Sequence, residues 1–461
     1  MIADVKPYAE YKDSGSSWLG QVPAHWGQRR MKFLFKERAQ KGFPDEPLLA
    51  ATQSKGVVRK QDYGTRTVTA TKDFHLLKLV EAGDFVISLR SFEGGIEVSR
   101  CRGIISPAYT VLTPRREASQ SYFARFFKSA DFIRSLTLYV TGIREGQNID
   151  YERMSRAYMP LPPMEEQVAI GRFLDWASGR LERAIRAKCK VIALLTEQKQ
   201  VIIHRAVTRG LDPAVTLKPS GIPWLGDIPQ HWEVLRAKYL YREVDERSND
   251  GNEELLSVSH LTGVTPRSQK NITMFKAATY AGHKLCRPGD LVVNTMWAWM
   301  GALGISGHVG VISPAYAVYR PRRPERIVGS YVDDLLRSRP YASNIICRST
   351  GLRPSRLRLY PEEFFRLPII QPPVEEQKRI VQAIQGETTE LNTVISRLER
   401  EIELLREYRI RLVADVVTGK LDVREKAARL PEETLSDTAE DTGDMNDDSD
   451  ESEFIQEESV P

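Results

Sequence analysis

The sequence contains an internal repeat, which restricts the fold to two copies of one architecture. Residues 14–26 recur as residues 220–232, with the same Trp-Leu-Gly, Pro and His-Trp residues at an offset of 206 positions. The motif Pro162-Pro-Met-Glu-Glu-Gln167 recurs as Pro372-Pro-Val-Glu-Glu-Gln377 at an offset of 210. Because the matching segments keep their order, the chain of 461 residues divides into two equivalent halves.

Each half is predicted to be a globular α/β or α+β block followed by a long helix. Short apolar runs bounded by glycine and proline, such as residues 84–89 and 290–294, are typical of strands. A helix is predicted to begin at Pro163, since proline suits the first helical position and Glu165 and Glu166 suit the helix dipole. The expected boundaries are 1–160 and 216–370 for the blocks, 161–215 for the first helix and a linker, 371–425 for the second helix, and 431–461 for a tail.

Both predicted helices have apolar residues at a period of seven. The first has Leu174, Leu181, Ile185, Ile192, Leu195 and Ile202, and the second has Ile384, Leu391, Ile395, Leu398, Ile402, Leu405 and Leu412. The residues between them are largely charged, so each helix has a single apolar seam to bury. The simplest arrangement is an antiparallel coiled coil of two helices, each about 60 Å long at 1.5 Å per residue, with one block at each end.

One uncharged stretch is long enough to cross a bilayer. Residues 291–319 contain no Lys, Arg, Asp or Glu. They do contain Asn294, Pro314 and several glycines, and their repeat counterpart, residues 85–113, is charged. This composition predicts short buried strands joined by turns and not a membrane helix.

The N-terminus and the cysteines indicate the compartment. The first 15 residues lack a basic region followed by an apolar core, so no secretory or transit signal is expected. The four cysteines are widely scattered, without the paired spacing of a zinc site or a disulfide scaffold. We therefore expect a cytoplasmic protein.

The charge of the chain is distributed unevenly. Residues 431–461 hold 13 Asp and Glu and no Lys or Arg, which leaves 66 basic against 48 acidic residues, or +18, on the remainder. A body this basic with an acidic tail is typical of proteins that handle nucleic acid. The tail has too few apolar residues to form a core, so it is predicted to be disordered.

Motifs for catalysis are missing from the sequence. It has no phosphate-binding Gly-x-x-x-x-Gly-Lys-Ser/Thr loop, no Gly-x-Gly-x-x-Gly after a strand, and no metal-type histidine cluster. The Ser-Pro-Ala-Tyr segments ending at Tyr109 and Tyr316 resemble the target-amine motif of amino-methyltransferases. They lack its second proline, and no glycine-rich methyl-donor loop precedes them, so both tyrosines are interpreted as core residues. No catalytic or metal-binding residue is predicted.

Sequence-specific DNA reading needs side chains that make paired contacts with a base edge. Arginine suits guanine, and asparagine or glutamine suits adenine. Such side chains cluster in two repeat-equivalent turns: Arg144, Gln147 and Asn148 in the first half, and Arg353, Ser355 and Arg356 in the second. Further candidates for phosphate or base contact are Arg90, Arg100, Arg102, Lys270, Lys284 and Arg287. The alternative for any one of these residues is a solvated or salt-bridged position.

Residues 14 to about 423 resemble the specificity subunit of type I restriction-modification enzymes. The resemblance rests on the paired Trp-Leu-Gly…Pro-x-His-Trp openings, the paired Pro-Pro-x-Glu-Glu-Gln helix starts and the heptad helices. It implies two target-recognition domains, held apart by an antiparallel helical pair, that read the two halves of a split DNA sequence. The acidic tail is not part of the family pattern.

The resemblance also implies partners and a division of labour. Two modification subunits, which carry the S-adenosylmethionine site, would dock on the helical regions, where the heptad residues given above are also the candidates for partner docking. Two restriction subunits would supply translocation and cleavage driven by ATP and Mg²⁺. The chain itself would bind double-stranded DNA, hold no cofactor, catalyse nothing, and direct adenine methylation and restriction.

Two other classes of protein remain open. A stand-alone methyltransferase would need a methyl-donor loop and would bind S-adenosylmethionine when purified. A scaffold without DNA would use the helices only for assembly, and its basic charge would be incidental. Salt dependence of duplex binding separates the scaffold from the DNA reader.

The difference between the two blocks yields a first prediction. Residues 40–80 and 246–286 are unlike each other although their flanks match, so the two half-sites should differ and the full site should be asymmetric. Replacing residues 27–158 with the equivalent block of a related chain should change one half of the methylated motif, as read by sequencing methylated adenines. A change in both halves would show that the blocks do not read independently.

Overall fold

The computed structural model describes residues 5–53, 55–63, 73–141, 148–260, 262–269, 279–351 and 357–431. The chain forms two compact units. Unit 1 comprises Met1–Ala184 and Leu404–Pro461, and unit 2 comprises Ile185–Glu403. Unit 1 therefore contains both ends of the chain. The predicted disordered tail lies outside the described residues, apart from Pro431.

Two long helices contribute residues to both units. They span Met164–Arg209 and Val374–Val417, so each begins directly after its Pro-Pro motif, and the first begins one residue later than the start predicted at Pro163. In unit 1, Arg409 Nη1 lies 2.6 Å from Glu182 Oε2. In unit 2, Lys188 Nζ lies 2.5 Å from Glu401 Oε2, and Lys199 Nζ lies 2.9 Å from Asn392 Oδ1. As residue numbers increase along the first helix, the numbers of their partners on the second helix decrease. The helices therefore pair antiparallel within each unit.

The residues of the predicted apolar seams are buried or half-buried in the structure. Leu174, Leu181, Ile185, Ile384, Ile402 and Leu412 are buried. The remaining seam residues, Ile192, Leu195, Ile202, Leu391, Ile395, Leu398 and Leu405, are half-buried. A two-helix pair leaves the edges of a seam in contact with solvent, which accounts for the second group. The predicted pair of long helices is confirmed.

Each unit is built around a four-stranded antiparallel sheet of the same topology. In spatial order the strands are Phe35–Arg38, Thr110–Pro114, Phe85–Ile87 and Glu97–Val98 in unit 1, and Tyr241–Glu243, Ala317–Pro321, Leu291–Val293 and Leu303–Ile305 in unit 2. All ladders between named strands are antiparallel. Of the two fold classes left open by the sequence, α+β is therefore the observed one.

Shorter elements surround each sheet. Two-stranded ladders in unit 1 join Tyr11–Asp13 with Gln21–Pro23, Gly27–Arg30 with Tyr158–Leu161, Leu49–Thr52 with Gly56–Arg59, Lys78–Val80 with Gly103–Ile105, and Val140–Thr141 with Asn148–Ile149. Those in unit 2 join Leu217–Pro219 with Asp227–Pro229, Glu233–Arg236 with Pro368–Gln371, Leu256–Ser259 with Gly263–Pro266, and Lys284–Cys286 with Gly310–Ile312.

The short helices also recur in both units. Unit 1 has Met31–Leu34, Ser91–Gly94, Gln120–Phe126, Ala130–Leu136, Tyr151–Ser155 and Arg424–Ala428. Unit 2 has Ala237–Leu240, Gly329–Arg337, Arg339–Arg348 and Pro361–Arg366. Single 3₁₀ turns occur at Lys60–Asp62, Phe74–Leu76, Thr137–Tyr139, Arg267–Gln269, Ala298–Met300 and Pro324–Arg326.

The uncharged residues 291–319 form strands, as predicted. They contribute three strands to the elements above, Leu291–Val293, Leu303–Ile305 and Gly310–Ile312, and most of a fourth, Ala317–Pro321. Most apolar side chains of these strands are buried because the sheet of unit 2 forms part of its core. Within the described ranges, no helix combines the length and the apolar character needed to cross a membrane.

The repeated motifs meet where each block joins its long helix. In unit 1 the buried carboxylate of Glu166 accepts hydrogen bonds from Trp26 Nε1 at 2.8 Å, His25 Nε2 at 2.8 Å and the Tyr8 hydroxyl at 2.5 Å. In unit 2 the equivalent Glu376 accepts one from His231 Nε2 at 2.7 Å. Sequence reasoning assigned Glu166 to the helix dipole, but its main role in the structure is to bind the opening motif.

The glutamine after each glutamate holds the same junction. Gln167 Oε1 accepts from the backbone nitrogen of Ser119 at 2.8 Å, and its Nε2 donates to the Pro162 carbonyl at 2.9 Å. Gln377 makes the equivalent pair of bonds with Val328 and Pro372, both at 2.8 Å. Each Glu-Gln pair therefore attaches a block to the first turn of a long helix.

A prediction on stability follows from the unequal burial of the two glutamates. Glu166→Ala should destabilise unit 1 by about 2–4 kcal/mol, because buried donors on Trp26 and Tyr8 lose their acceptor. Glu376→Ala should cost about 1 kcal/mol, because Glu376 holds one histidine that is half exposed. Thermal unfolding of the full chain measures both, with the exposed Glu165→Ala as a control near zero. Equal losses for Glu165→Ala and Glu166→Ala would refute this role.

Candidate nucleic-acid interface

The two turns predicted to read bases begin and end at paired backbone segments. In unit 1, Val140–Thr141 pairs antiparallel with Asn148–Ile149. In unit 2, Thr350 and Arg358 exchange two backbone hydrogen bonds of 3.0 Å. The residues between these pairs include Arg144, Gln147, Arg353, Ser355 and Arg356, which lie outside the described residues. The anchoring of both turns is therefore equivalent in the two units.

Two of the predicted residues lie in neighbouring segments of unit 1. Asn148 is exposed, and its Oδ1 accepts a hydrogen bond from the Ile149 backbone at 2.9 Å. The helical turn Ser91–Gly94 contacts this strand and is preceded by Arg90, whose side chain is 78% exposed. The nearest carboxylate of Arg90 is that of Glu93, at 3.7 Å. Arg90 therefore directly precedes a helical turn that contacts the strand of Asn148.

The equivalent place in unit 2 has different chemistry. The Leu359 backbone nitrogen donates to the Thr295 carbonyl at 2.9 Å, so the end of the second predicted turn lies beside residues 295–300. Two indole rings, of Trp297 and Trp299, stack there with centroids 6.1 Å apart. Aromatic rings therefore stand in unit 2 where unit 1 presents Arg90.

Arg100 lines an open groove elsewhere in unit 1. The groove has a volume of about 890 Å³ and contains more cations than carboxylates, with Lys55, Arg100, Arg125, Lys128 and Arg409 against Glu97 and Asp175. Arg100 is exposed and forms no ion pair with any described residue. Burial raises the pKa of Glu97 to about 7, although the Lys128 ammonium bonded to it opposes this shift. The groove is therefore a basic surface with one weakly acidic carboxyl group.

Two other predicted cations, both arginines, form ion pairs within their own unit. Arg102 pairs with Glu81 and, at 2.7 Å, with Glu46. Arg287 Nε donates to Glu246 at 3.0 Å, and the guanidinium groups of Arg320 and Arg287 lower the pKa of Glu246. These arginines would have to exchange existing ion pairs in order to contact DNA.

Lys284 is engaged in a contact that both units share. Its Nζ donates to the Tyr316 carbonyl at 2.9 Å, as Lys78 does to the Tyr109 carbonyl at 2.8 Å. Both tyrosines are half-buried and pack against the core. Lys284 thus supports the Ser-Pro-Ala-Tyr segment. Lys270, the last predicted cation, lies outside the described residues.

Sequence reasoning missed a second set of cations that the structure leaves exposed. Arg30, Lys32 and Lys36 surround the turn Met31–Leu34, and Arg236, Lys238 and Arg242 surround the equivalent turn Ala237–Leu240. The offset of 206 between these positions was the signal that could have identified them.

Comparison with solved structures identifies the fold. The chain is similar to a protein from the type I R-M system, described for complex assembly and conformational transition, with a TM-score of 0.58 and 16% identity over 87% of this chain and 99% of that chain. The HsdS subunit from Thermoanaerobacter tengcongensis matches with a TM-score of 0.44 and 17% identity over 87% and 98% of the two chains. The S subunit of the type I restriction-modification system from M. genitalium matches with a TM-score of 0.33 and 11% identity over 89% of this chain and 98% of that chain.

The sequence resemblance is thereby confirmed as a likeness of fold. No protein-family model and no curated protein matches the sequence. The first of the structural matches extends over nearly the whole length of both chains, so it includes both units and the long helices. The chain has the fold of a protein of the type I restriction-modification system.

Proposed function

We propose that this chain is the DNA sequence-specificity subunit of a type I restriction-modification complex. Each unit would read one half of a bipartite, asymmetric DNA site. The observation that carries this proposal is the repeat: two α+β units present equivalent turns and share one antiparallel helical pair. The likeness of fold along 87% of the chain supports it.

Base reading is assigned to the two anchored turns and the segments beside them. In unit 1 these are residues 142–148 together with Arg90. The guanidinium groups of this set suit guanine, and its side-chain amides suit adenine. In unit 2 they are residues 351–356, beside Trp297 and Trp299. Different side chains at equivalent places are what two unlike half-sites require, so this difference supports an asymmetric site.

The long helices are assigned two roles. Each begins in one unit and ends in the other, so a rigid helical pair would fix the gap between the half-sites. Exposed apolar side chains on these helices would dock two modification subunits. They are Val191, Leu194 and Val201 in unit 2 and Leu404, Tyr408 and Ile410 in unit 1. Leu194 and Leu404 are repeat-equivalent, which fits two copies of one partner.

Catalysis is assigned to the partners. The modification subunits would bind S-adenosylmethionine and methylate adenine, and two restriction subunits would use ATP and Mg²⁺ for translocation and cleavage. The present chain would supply recognition alone.

This proposal predicts that the purified chain binds duplex DNA with steep salt dependence. The logarithm of the binding constant should fall linearly with the logarithm of salt concentration, with a slope of about −0.9 for each phosphate neutralised. Fluorescence anisotropy with a labelled duplex measures the slope, and a radiolabelled methyl donor measures methyl transfer. Methylation should require added modification subunit. Methyl transfer by the chain alone would indicate a methyltransferase, and absence of salt-dependent binding would indicate a scaffold.

A further inference from the structure

We propose that each unit has a second DNA contact, at the helical turns Met31–Leu34 and Ala237–Leu240, which binds the sugar-phosphate backbone without reading sequence. This inference rests on the proposed function, since it assumes that the chain binds duplex DNA. It concerns residues other than those assigned to base reading. We call the two segments the cationic turns.

The cationic turns share one pattern of exposure. Their sequences are Arg30-Met-Lys-Phe-Leu-Phe-Lys36 and Arg236-Ala-Lys-Tyr-Leu-Tyr-Arg242. In both, the second, fifth and sixth residues are buried in the core. The first, third, fourth and seventh residues are exposed in both. Three cations and one aromatic ring therefore face solvent at matching positions in each unit.

The backbone of each turn is anchored in the same way. The Met31 nitrogen donates to the Ala157 carbonyl at 2.9 Å, and the Arg115 nitrogen donates to the Leu34 carbonyl at 2.8 Å. In unit 2, Ala237 donates to Leu367 and Arg322 donates to Leu240, both at 2.8 Å. Because neighbouring segments hold both ends, the exposed side chains start from fixed backbone positions.

The exposed aromatic rings have no evident role in packing. Phe33 is 54% exposed and Tyr239 is 61% exposed. One exposed ring is ordinary on a protein surface, but the same position in both repeats argues for a shared use. The ammonium of Lys32 lies 5.2 Å from the Phe33 ring centroid, and that of Lys238 lies 4.8 Å from the Tyr239 centroid. This cation-π geometry favours a defined position for each ammonium at the surface.

The cations of the cationic turns form no ion pairs with described carboxylates. In the part of the chain that the structure describes, Lys32 and Lys36 pair with no carboxylate, and neither do Arg236, Lys238 and Arg242. Arg102 and Arg287, by contrast, are both neutralised by glutamates. Clustered cations that are not held in ion pairs raise the local concentration of a polyanion and release its counterions when it binds.

The repeat indicates which part of DNA these turns contact. A surface that is the same in two units cannot distinguish two unlike half-sites. It must bind a structure common to both, and the sugar-phosphate backbone is common to every duplex. A modification subunit would also be common to both units, but a cluster of free cations beside a flat ring matches phosphates and sugars more closely than it matches an unspecified protein surface.

The test removes two charges from each turn. Lys32→Gln/Lys36→Gln and Lys238→Gln/Arg242→Gln are made in the full chain, and salt-dependent affinity for a non-specific duplex is measured by fluorescence anisotropy. A matched control, Arg186→Gln/Lys190→Gln, removes two exposed cations from a long helix. Each turn variant should reduce the magnitude of the salt slope by up to about 1.8, at about 0.9 for each phosphate that is no longer neutralised. The two should weaken binding to a similar extent, and the control should change it less.

The outcomes separate this inference from the proposed function. Wild-type chain without salt-dependent DNA binding would overturn both. If the wild type binds and both turn variants match the control, the cationic turns are not DNA contacts. Turn variants that bind DNA normally but no longer associate with the modification subunit would overturn the inference in favour of a protein contact. A changed methylated motif in cells carrying a turn variant would also overturn it, because a backbone contact leaves base preference unaltered.

Discussion

The hydrogen bonds at Glu166 position the first block on its long helix, and the rest of unit 1 depends on them. A carboxylate that is only 4% exposed is costly unless donors surround it. Trp26, His25 and Tyr8 supply those donors, and all three belong to the N-terminal segment. The equivalent junction in unit 2 is weaker. Glu376 holds His231 alone, and the buried Trp232 Nε1 finds no hydrogen-bond partner among the described residues.

The far ends of the long helices complete the same junctions. The Tyr122 hydroxyl donates to the Val417 carbonyl at 2.9 Å, and the Tyr331 hydroxyl donates to the Val207 carbonyl at 3.1 Å. Gly419 follows the second helix with φ of +81°, and a Cβ there would lie 2.3 Å from Pro23 Cδ. Each block is thus held by the start of one helix and the end of the other. The helix termini therefore fix the position of each block.

The sequence predicted the features that depend on local pattern. The repeat, the helix starts after Pro163 and Pro373, the heptad seams and the strands in residues 291–319 all follow from spacing or composition. Pairing between distant residues could not be predicted. Arg102 and Arg287 look like free cations in the sequence, but their partners Glu46 and Glu246 are brought to them by the fold.

The cationic turns could not be predicted from the sequence for a related reason. The repeat of Arg-x-Lys-aromatic is visible in the sequence, but its exposure is not. It depends on which side chains of each turn the core buries, and on anchors such as Ala157 and Arg115 that lie far along the chain. The role of Glu166 was missed because a first-turn glutamate already has a sufficient local explanation in the helix dipole.

Lengthening the helical pair tests most directly whether it sets the spacing between two independent readers. One heptad is inserted after Gln198 and one after Asn392, positions that face each other because Lys199 contacts Asn392 and the helices are antiparallel. A heptad keeps the seam in phase and adds about 10 Å, or about three base pairs. Methylated adenines are then sequenced in cells that carry the variant with its modification subunit. The account predicts unchanged half-sites separated by a gap about three base pairs wider, and an active variant with an unchanged gap would contradict it.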